Sequence, residues 1–254
     1  MGAVDVHCHL LPGVDDGPST IEESVDYAHS AAQAGTDVVV ATPHVEEVEV
    51  SELSDRVAQL RDRLEREGIA LRIETGGELK PASVPLLDDG ELDTIAHGPN
   101  GCRWVLLEVP FGGFAGDLHA AAAQLRERGY APVLAHPERA AHFASESSLR
   151  ALRHELDNGA AIQMNVGPLC GFEGEPRETA ARDLLRLGLA AAIASDAHPP
   201  GRAYTMSLAW RGIMSAGADT AEARELIERG PRRLLERGLP LHPSAGAGRA
   251  AAGR

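Results

Sequence analysis

The chain has 254 residues, 43% of them hydrophobic and 24% charged, with a formal net charge of −14. That length and composition allow one α/β barrel or two small domains, either able to bury a core without disulfide or metal staples. The acidic balance argues against a nucleic-acid partner or an anionic membrane surface, since both call for a basic face.

In chain order, apolar β-type runs alternate with helical patterns. The N-terminus has no basic n-region and enters the first predicted strand, residues 4–8, directly. An amphipathic helix follows from Ser19-Thr20, where Glu22 and Glu23 suit a capping box, and stops at Gly35. The second strand spans 37–42, and its helix starts at Ser51 and ends before Gly68. The third strand is placed at 71–75, and the connection at 79–103 is less regular. Within it Lys80, the only lysine, stands between Leu79 and Pro81, which excludes a P-loop. Strands at 104–109, 131–135, 161–166 and 190–195 then alternate with helices at 118–128, 146–157, 177–187, 204–215 and 220–229. Near-continuous apolar strands with intervening helices predict a single parallel α/β domain of barrel type. One domain is expected over residues 1–242, with a Gly/Ala/Arg-rich, disordered tail at 243–254. No run is long enough to span a membrane, and a cytoplasmic location is expected.

Residues of metal-ligand type fall where these strands end. His7 and His9 close the first strand, with Asp16 just beyond; His44 closes the second, Glu78 the third, Glu108 the fourth and His136 the fifth. Asp196 and His198 close the seventh. In a parallel barrel those ends meet on one face, where active sites are built. Strand alternation points His7 and His9 to one side and turns Cys8 away, so Cys8 is expected to be a packed thiol. Singly, each residue has a bland explanation, since a lone His-x-His is more often structural and a lone Glu108 could simply form an ion pair. Together they imply a cation, because apolar strands ending in unpaired carboxylates would be costly. A nitrogen and oxygen donor set without thiolate suits manganese, iron or zinc. By contrast His29, His97, His119, His142, His154 and His242 are expected at the surface without partners, and Glu46, Glu47 and Glu49 in a solvated loop.

Arg139, in His-Pro-Glu-Arg, and Arg202, in His-Pro-Pro-Gly-Arg, follow ligand positions closely enough to clamp a phosphate. Three cysteines without Cys-x-x-Cys spacing fit a reduced compartment rather than a disulfide framework. None has an arginine six positions later, and no Gly-x-Ser-x-Gly elbow occurs, so thiol and serine nucleophiles are disfavoured.

With these residues in place, the stretch Asp5-Val-His-Cys-His-Leu-Leu-Pro-Gly-Val-Asp-Asp-Gly-Pro resembles the PHP (polymerase and histidinol phosphatase) superfamily, in particular its manganese-dependent tyrosine phosphatases of the CpsB/YwqE type. The match continues through Ala-Thr-Pro-His44, Gly-Gly-Glu78, Leu-Leu-Glu108, Ala-His136-Pro-Glu-Arg139, Ala-Ser-Asp196-Ala-His198 and the Gly-Pro-Arg-Arg-Leu-Leu near Pro231, about residues 3–240. The resemblance implies a distorted seven-stranded (β/α)7 TIM-like barrel of the PHP fold with three divalent metal ions, manganese first and iron or zinc as alternatives. It implies that His7, His9, Glu78 and Asp196 hold one ion. Glu78 would bridge to a second ion with Glu108 and His136, and Asp16, His44 and His198 would hold the third. Asp16 matches the family position better than Asp15. Arg139 and Arg202 would bind the phosphoryl group. The implied activity is hydrolysis of phosphotyrosine on proteins, opposing a bacterial tyrosine kinase in capsular or extracellular polysaccharide synthesis. The alternatives are a small-molecule phosphatase, such as one acting on histidinol phosphate, and a non-catalytic metal-binding module. Val45, Lys80 and Pro81 depart from the family pattern and alter the rim of the site.

Overall fold

Strand β1 (Ala3–Cys8) leads into helix α1 (Ile21–Gln33) and β2 (Thr36–Ala41), which pairs with β1 in parallel. The computed structural model describes residues 2–114 and 116–241, so His242 and the tail at 243–254 lie outside the described residues. The predicted cap of α1 forms at Thr20, whose hydroxyl accepts from the Glu23 N–H while the Glu23 carboxylate accepts from the Thr20 N–H. Helix α2 (Leu53–Arg66) carries the chain to β3 (Arg72–Thr75), which pairs with β2.

The third predicted strand does not continue to Glu78. A Cβ on Gly76 would lie 2.6 Å from Val40 Cγ1, and one on Gly77 2.7 Å from Val45 Cγ1, so close packing admits only glycine there. The strand breaks, and Glu78 opens a separate two-residue strand, β4 (Glu78–Leu79). The connection that follows holds α3 (Asp89–Ile95), capped by Asp88 and Glu91, before β5 (Trp104–Glu108), with which β4 pairs. Then come α4 (Gly116–Glu127), β6 (Ala131–Ala135), α5 (Glu146–Asp157), β7 (Ala161–Asn165), α6 (Val166–Leu169), α7 (Glu175–Arg186), β8 (Ala192–Ala194) and α8 (Met206–Ser215). Helix α9 (Thr220–Arg224) runs through one wider turn (Glu225–Arg229) into α10 (Gly230–Arg237).

All strand pairs are parallel, in two sheets ordered β1-β2-β3 and β4-β5-β6-β7-β8. The parallel α/β fold is as expected, with the strands paired in two ladders rather than one. The chain has an α/β fold of two parallel sheets, and their edges meet through isolated bridges, Cys8 with Ala197 and His44 with Glu78. At these seams the Asp196 N–H donates to His7 O at 2.8 Å and the Glu78 N–H to Pro43 O at 2.9 Å. Both seams lie at the end where the ligand-type residues gather.

The apolar residues form two clusters. The larger packs the strands against the surrounding helices, through Val39, Ile73, Leu107 and Leu134 against Leu53, Leu60, Leu118 and Leu184. The smaller lies between the strands and comprises Val4, Val6, Val38, Val40, Leu106, Val133, Ala161 and Ala192, with Leu234 of α10. Below it the Trp104 Nε1–H donates to Leu234 O at 2.7 Å, tying α10 to the base. Gly238 ends α10 at φ 68°, and any Cβ there would lie 1.8 Å from Cys102 O, so glycine permits that closure. Along β5 and β8 the inward positions run from apolar to ionisable: Trp104, Leu106, Glu108; Ala192, Ala194, Asp196. Among the described residues no helix is long and apolar enough to cross a membrane.

Candidate metal centre

His7 and His9 face the same side, as alternation predicts, but plain alternation does not put them there. Val4 and Val6 already lie in the inner cluster, which by parity would turn His7 outward. A register shift between Asp5 and Cys8 resets the parity, so both imidazoles face the site while Cys8 joins the outer core. The buried Asp5 holds this turn, its Oδ1 accepting from the Ser195 N–H at 3.0 Å and the His7 N–H at 3.3 Å. Burial pushes the Cys8 thiol far above its ordinary range, consistent with a packed, inert side chain.

Four donor atoms close one corner of the site. His7 Nε2 lies 3.5 Å from Glu78 Oε2 and 3.4 Å from Asp196 Oδ1. His9 Nε2 lies 3.3 Å and 3.5 Å from the same two oxygens, and 3.3 Å from His7 Nε2. The donor atoms of His7, His9 and Glu78 lie close enough together to share one ion, with Asp196 Oδ1 beside both imidazoles. A second group, Glu78, Glu108 and His136, shares Glu78, whose Oε1 lies 2.9 Å from His136 Nε2. A third joins Asp16, His44 and His198, with His9 alongside. Asp16 Oδ1 lies 3.0 Å from His198 Nε2 and 3.9 Å from His44 Nε2. The structure thus brings every ligand-type residue read from the sequence to one end of the strands.

The protonation balance shows what this cluster needs. Burial alone would raise Glu78 and Asp196, yet His7 and the neighbouring imidazoles hold both carboxyls below their ordinary range. Burial opposes a charge on His9, but Asp15 and Glu78 raise it to about 10. Glu108 is lifted to about 7 by burial and by the Glu78 charge. Among the described residues buried His136 Nδ1 has no hydrogen-bond partner, and buried His44 Nδ1 makes no hydrogen bond although it lies 3.2 Å from Glu78 Oε2. Protons on His7 and His9 thus stand in for cations among crowded carboxylates, while burial holds His136 and His198 below their ordinary range, and the donor set fits divalent metal ions.

Several residues the sequence reading left out position these donors. Asp15 is one: its side chain is fully buried, Oδ2 lying 2.6 Å from His9 Nδ1 and accepting from the His44 N–H at 3.0 Å. That bond occupies His9 Nδ1 and leaves Nε2 for the first group, whereas Asp16 is mostly exposed and free to ligate. Asp16, not Asp15, is the carboxylate grouped with His9, His44 and His198. Gln163 Oε1 lies 2.8 Å from His7 Nδ1, and Gln163 Nε2 donates to Asn165 Oδ1. Asn165 Nδ2 donates in turn to Asp196 Oδ2 at 2.6 Å. The signal was present in β7, where Gln163 and Asn165 interrupt an otherwise apolar buried strand. His136 and Asp196 adopt left-handed backbone, φ 48° and 46°, which swings each side chain inward at its strand end.

The two arginines differ. Arg139 Nη1 donates to Asp196 Oδ2 at 2.8 Å, its Nε forms a poorly aligned ion pair with Glu173 Oε2 at 3.1 Å, and its guanidinium lies 4.6 Å from the Phe111 ring centre. Arg202 lines the same cavity and is paired with no carboxylate among the described residues. That cavity, about 510 Å³, also reaches Glu108, Phe111 and Lys80. Lys80 forms an ion pair with Glu46, so the acidic loop is partly neutralised at the rim.

Two histidines expected at the surface without partners are corrected. His97 is half-buried, its ring 5.1 Å from Trp104, because its backbone exchanges hydrogen bonds with Trp104. His119 Nδ1 lies 2.5 Å from Glu155 Oε1, a fully buried carboxylate that also meets Arg126, with the His154 ring edge-on at 5.3 Å. His29 and His142 are exposed as expected, though His29 Nε2 lies 2.6 Å from Gln33 Nε2.

A family model described as capsular polysaccharide synthesis, CpsB/CapC, matches residues 3–236. The tyrosine-protein phosphatase YwqE of Bacillus subtilis is 32% identical over 199 residues, 77% of this chain and 77% of that protein. The tyrosine-protein phosphatase CpsB of Streptococcus pneumoniae is 26% identical over 244 residues, 91% of this chain and 98% of that one. A crystal structure from work on those two proteins, described there as unique metal-dependent tyrosine phosphatases, superposes with a TM-score of 0.77 at 27% identity. It covers 94% of this chain and 98% of that chain. A histidinol phosphate phosphatase from Lactococcus lactis, at 15% identity and a TM-score of 0.53, covers 86% of this chain and 95% of that one, and shares the fold alone.

Proposed function

The chain belongs to the CpsB/CapC family of capsular polysaccharide synthesis, and from that membership we propose that it is a metal-dependent hydrolase of phosphotyrosine in proteins. The observation that carries the proposal is the convergence of His7 and His9, each Nε2 lying 3.3–3.5 Å from a Glu78 and an Asp196 oxygen, beside a cavity that Arg139 and Arg202 also line. His7, His9, Glu78 and Asp196 would hold one cation, Glu78, Glu108 and His136 a second, and Asp16, His44 and His198 a third, with manganese the first candidate and iron or zinc the alternatives. When bound, such ions supply Lewis acidity and a lowered water pKa to phosphoester hydrolysis.

The chain's own residues supply position and charge. Arg202, at the cavity wall, would grip the phosphoryl oxygens through its guanidinium fork. Arg139 is held rigid by Asp196, Glu173 and Phe111, so its remaining N–H groups present a preorganised donor to developing negative charge. Cations and guanidiniums together would make a positive pocket within a protein of net charge −14. The relatives' names support a protein substrate, and a bacterial tyrosine kinase of polysaccharide synthesis is the candidate. One folded phosphoesterase domain would span residues 1–242 and work in the cytoplasm.

The test is hydrolysis of a phosphotyrosine peptide by purified protein with manganese, then with excess chelator. Turnover that depends on manganese and stops on chelation is expected. Protein carrying its metals that leaves the peptide intact but hydrolyses histidinol phosphate would replace this reading with the small-molecule one. Metal-loaded protein inert to both would leave a non-catalytic binding module.

A further inference from the structure

Beside the catalytic cavity lies a second one of about 560 Å³, between the turn that follows β6 and the start of α7. Phe111 and Arg139 line both cavities, so the two share one wall. The Phe111 ring is 48% exposed yet fixed. Arg139 lies 4.6 Å and Arg177 5.8 Å from its centre, and it faces the His136 ring at 6.3 Å with 28° between the planes. Its carbonyl accepts from the Ala141 N–H at 2.7 Å, which ties the β5 loop to the β6 turn. An aromatic ring held rigid and half in solvent at the mouth of a site is the usual form of a binding platform.

The second cavity's chemistry is mainly apolar. Ala140, Phe143 and Ala180 form buried wall, and Ala144, Pro176 and Thr179 line its open side. Its cations are already committed: Arg139 to Asp196 and Glu173, and Arg177 to Glu173 at 2.8 Å. The Glu175 carboxylate also lines this cavity and disfavours an anion there, whereas an apolar side chain would leave water for apolar walls.

We propose that this cavity is a specificity subsite for an apolar side chain flanking the phosphotyrosine of the protein substrate, with Phe111 the partition between that side chain and the phosphorylated ring. The subsite rests on the phosphotyrosine reading above. Its continuity with the catalytic cavity is the reason for assigning it to the same bound segment: successive residues of an extended peptide lie about 3.3–3.6 Å apart along the chain, so a residue next to the phosphotyrosine reaches the shared wall.

The experiment compares kcat/KM for manganese-loaded protein on phosphotyrosine peptides carrying Leu, Ser or Glu at each flanking position, and on free phosphotyrosine. The same panel is run on Thr179→Trp and Ala144→Trp, which fill the cavity from exposed positions. One flanking position should favour Leu over Ser and Glu by about tenfold or more, the effect of burying one aliphatic side chain. Both variants should erase that preference while free phosphotyrosine is hydrolysed as before. A flat panel, or a preference that survives both variants, overturns the subsite. Failure to hydrolyse peptides and free phosphotyrosine alike would instead overturn the phosphatase reading, and the subsite with it.

Discussion

At the scale of single residues, the site depends on side chains that touch no substrate. Asp15 is buried against His9 Nδ1 at 2.6 Å, fixing which imidazole nitrogen faces the cluster. Outer partners of this kind typically contribute 10- to 100-fold in metal affinity. Asp15→Ala should therefore weaken metal binding by about that factor with the fold intact, measured by titrating metal into chelated protein and by circular dichroism. Unchanged affinity would leave Asp15 a purely structural group. Arg202 is the converse case, lining the cavity and paired with no carboxylate among the described residues. Arg202→Ala should lower kcat/KM by about 10²- to 10³-fold, as removal of a preorganised donor does elsewhere, with metal content unchanged. Arg139→Ala should lower both activity and metal content, because Asp196 loses a partner at 2.8 Å.

Among elements, the connection between β4 and β5 shows how local signals were present but hard to use. Asp88 and Glu91 form a capping box that starts α3 and could have been read directly. What the sequence does not reveal is that His97, just after that helix, pairs with Trp104 through the backbone and is partly withdrawn from water. Burial lowers the His97 pKa from 6.5 to about 4. A histidine whose folded-state pKa lies below its unfolded value binds protons more readily when unfolded, so its contribution to stability is lost as pH falls from about 6.5 toward 4. His97→Gln should accordingly flatten the fall of Tm across that interval, read by thermal denaturation at several pH values. Parallel curves for variant and wild type would show that another group carries the acid sensitivity.

For the whole molecule, the two sheets meet at their seams through isolated bridges, at the end where the ligand-type residues gather. His7 comes from β1, His9 from just beyond it, Glu78 from β4, and Asp196 from the segment after β8. A cation bound by all four would cross-link the sheets and relieve carboxylate repulsion, stabilising the folded state by mass action. Chelation should therefore lower Tm by several degrees and manganese should restore it. Protein stripped of metal, as verified by elemental analysis, that melts at the same temperature would show that the sheets hold together without ions.

The amino-acid sequence by itself determined the alternation of apolar strands and amphipathic helices, and with it a parallel α/β fold whose chemistry collects at the strand ends. It also specified each ligand-type residue, because carboxylates and imidazoles that close apolar runs stand out against their neighbours. Burial of Cys8 and the exclusion of thiol chemistry followed from the same pattern. Tertiary structure alone decided the rest. The break at Gly76 and Gly77 depends on contacts with Val40 and Val45, more than thirty positions away in sequence, and it separates β3 from β4 at the edges of the two sheets. The register shift between Asp5 and Cys8 is fixed by Ser195, about 190 positions later. Gln163 and Asp15 acquire meaning only when folding sets them against His7 and His9. Sequence periodicity reports which face a residue occupies, but which partner that face meets is set by the packing of elements distant in the chain.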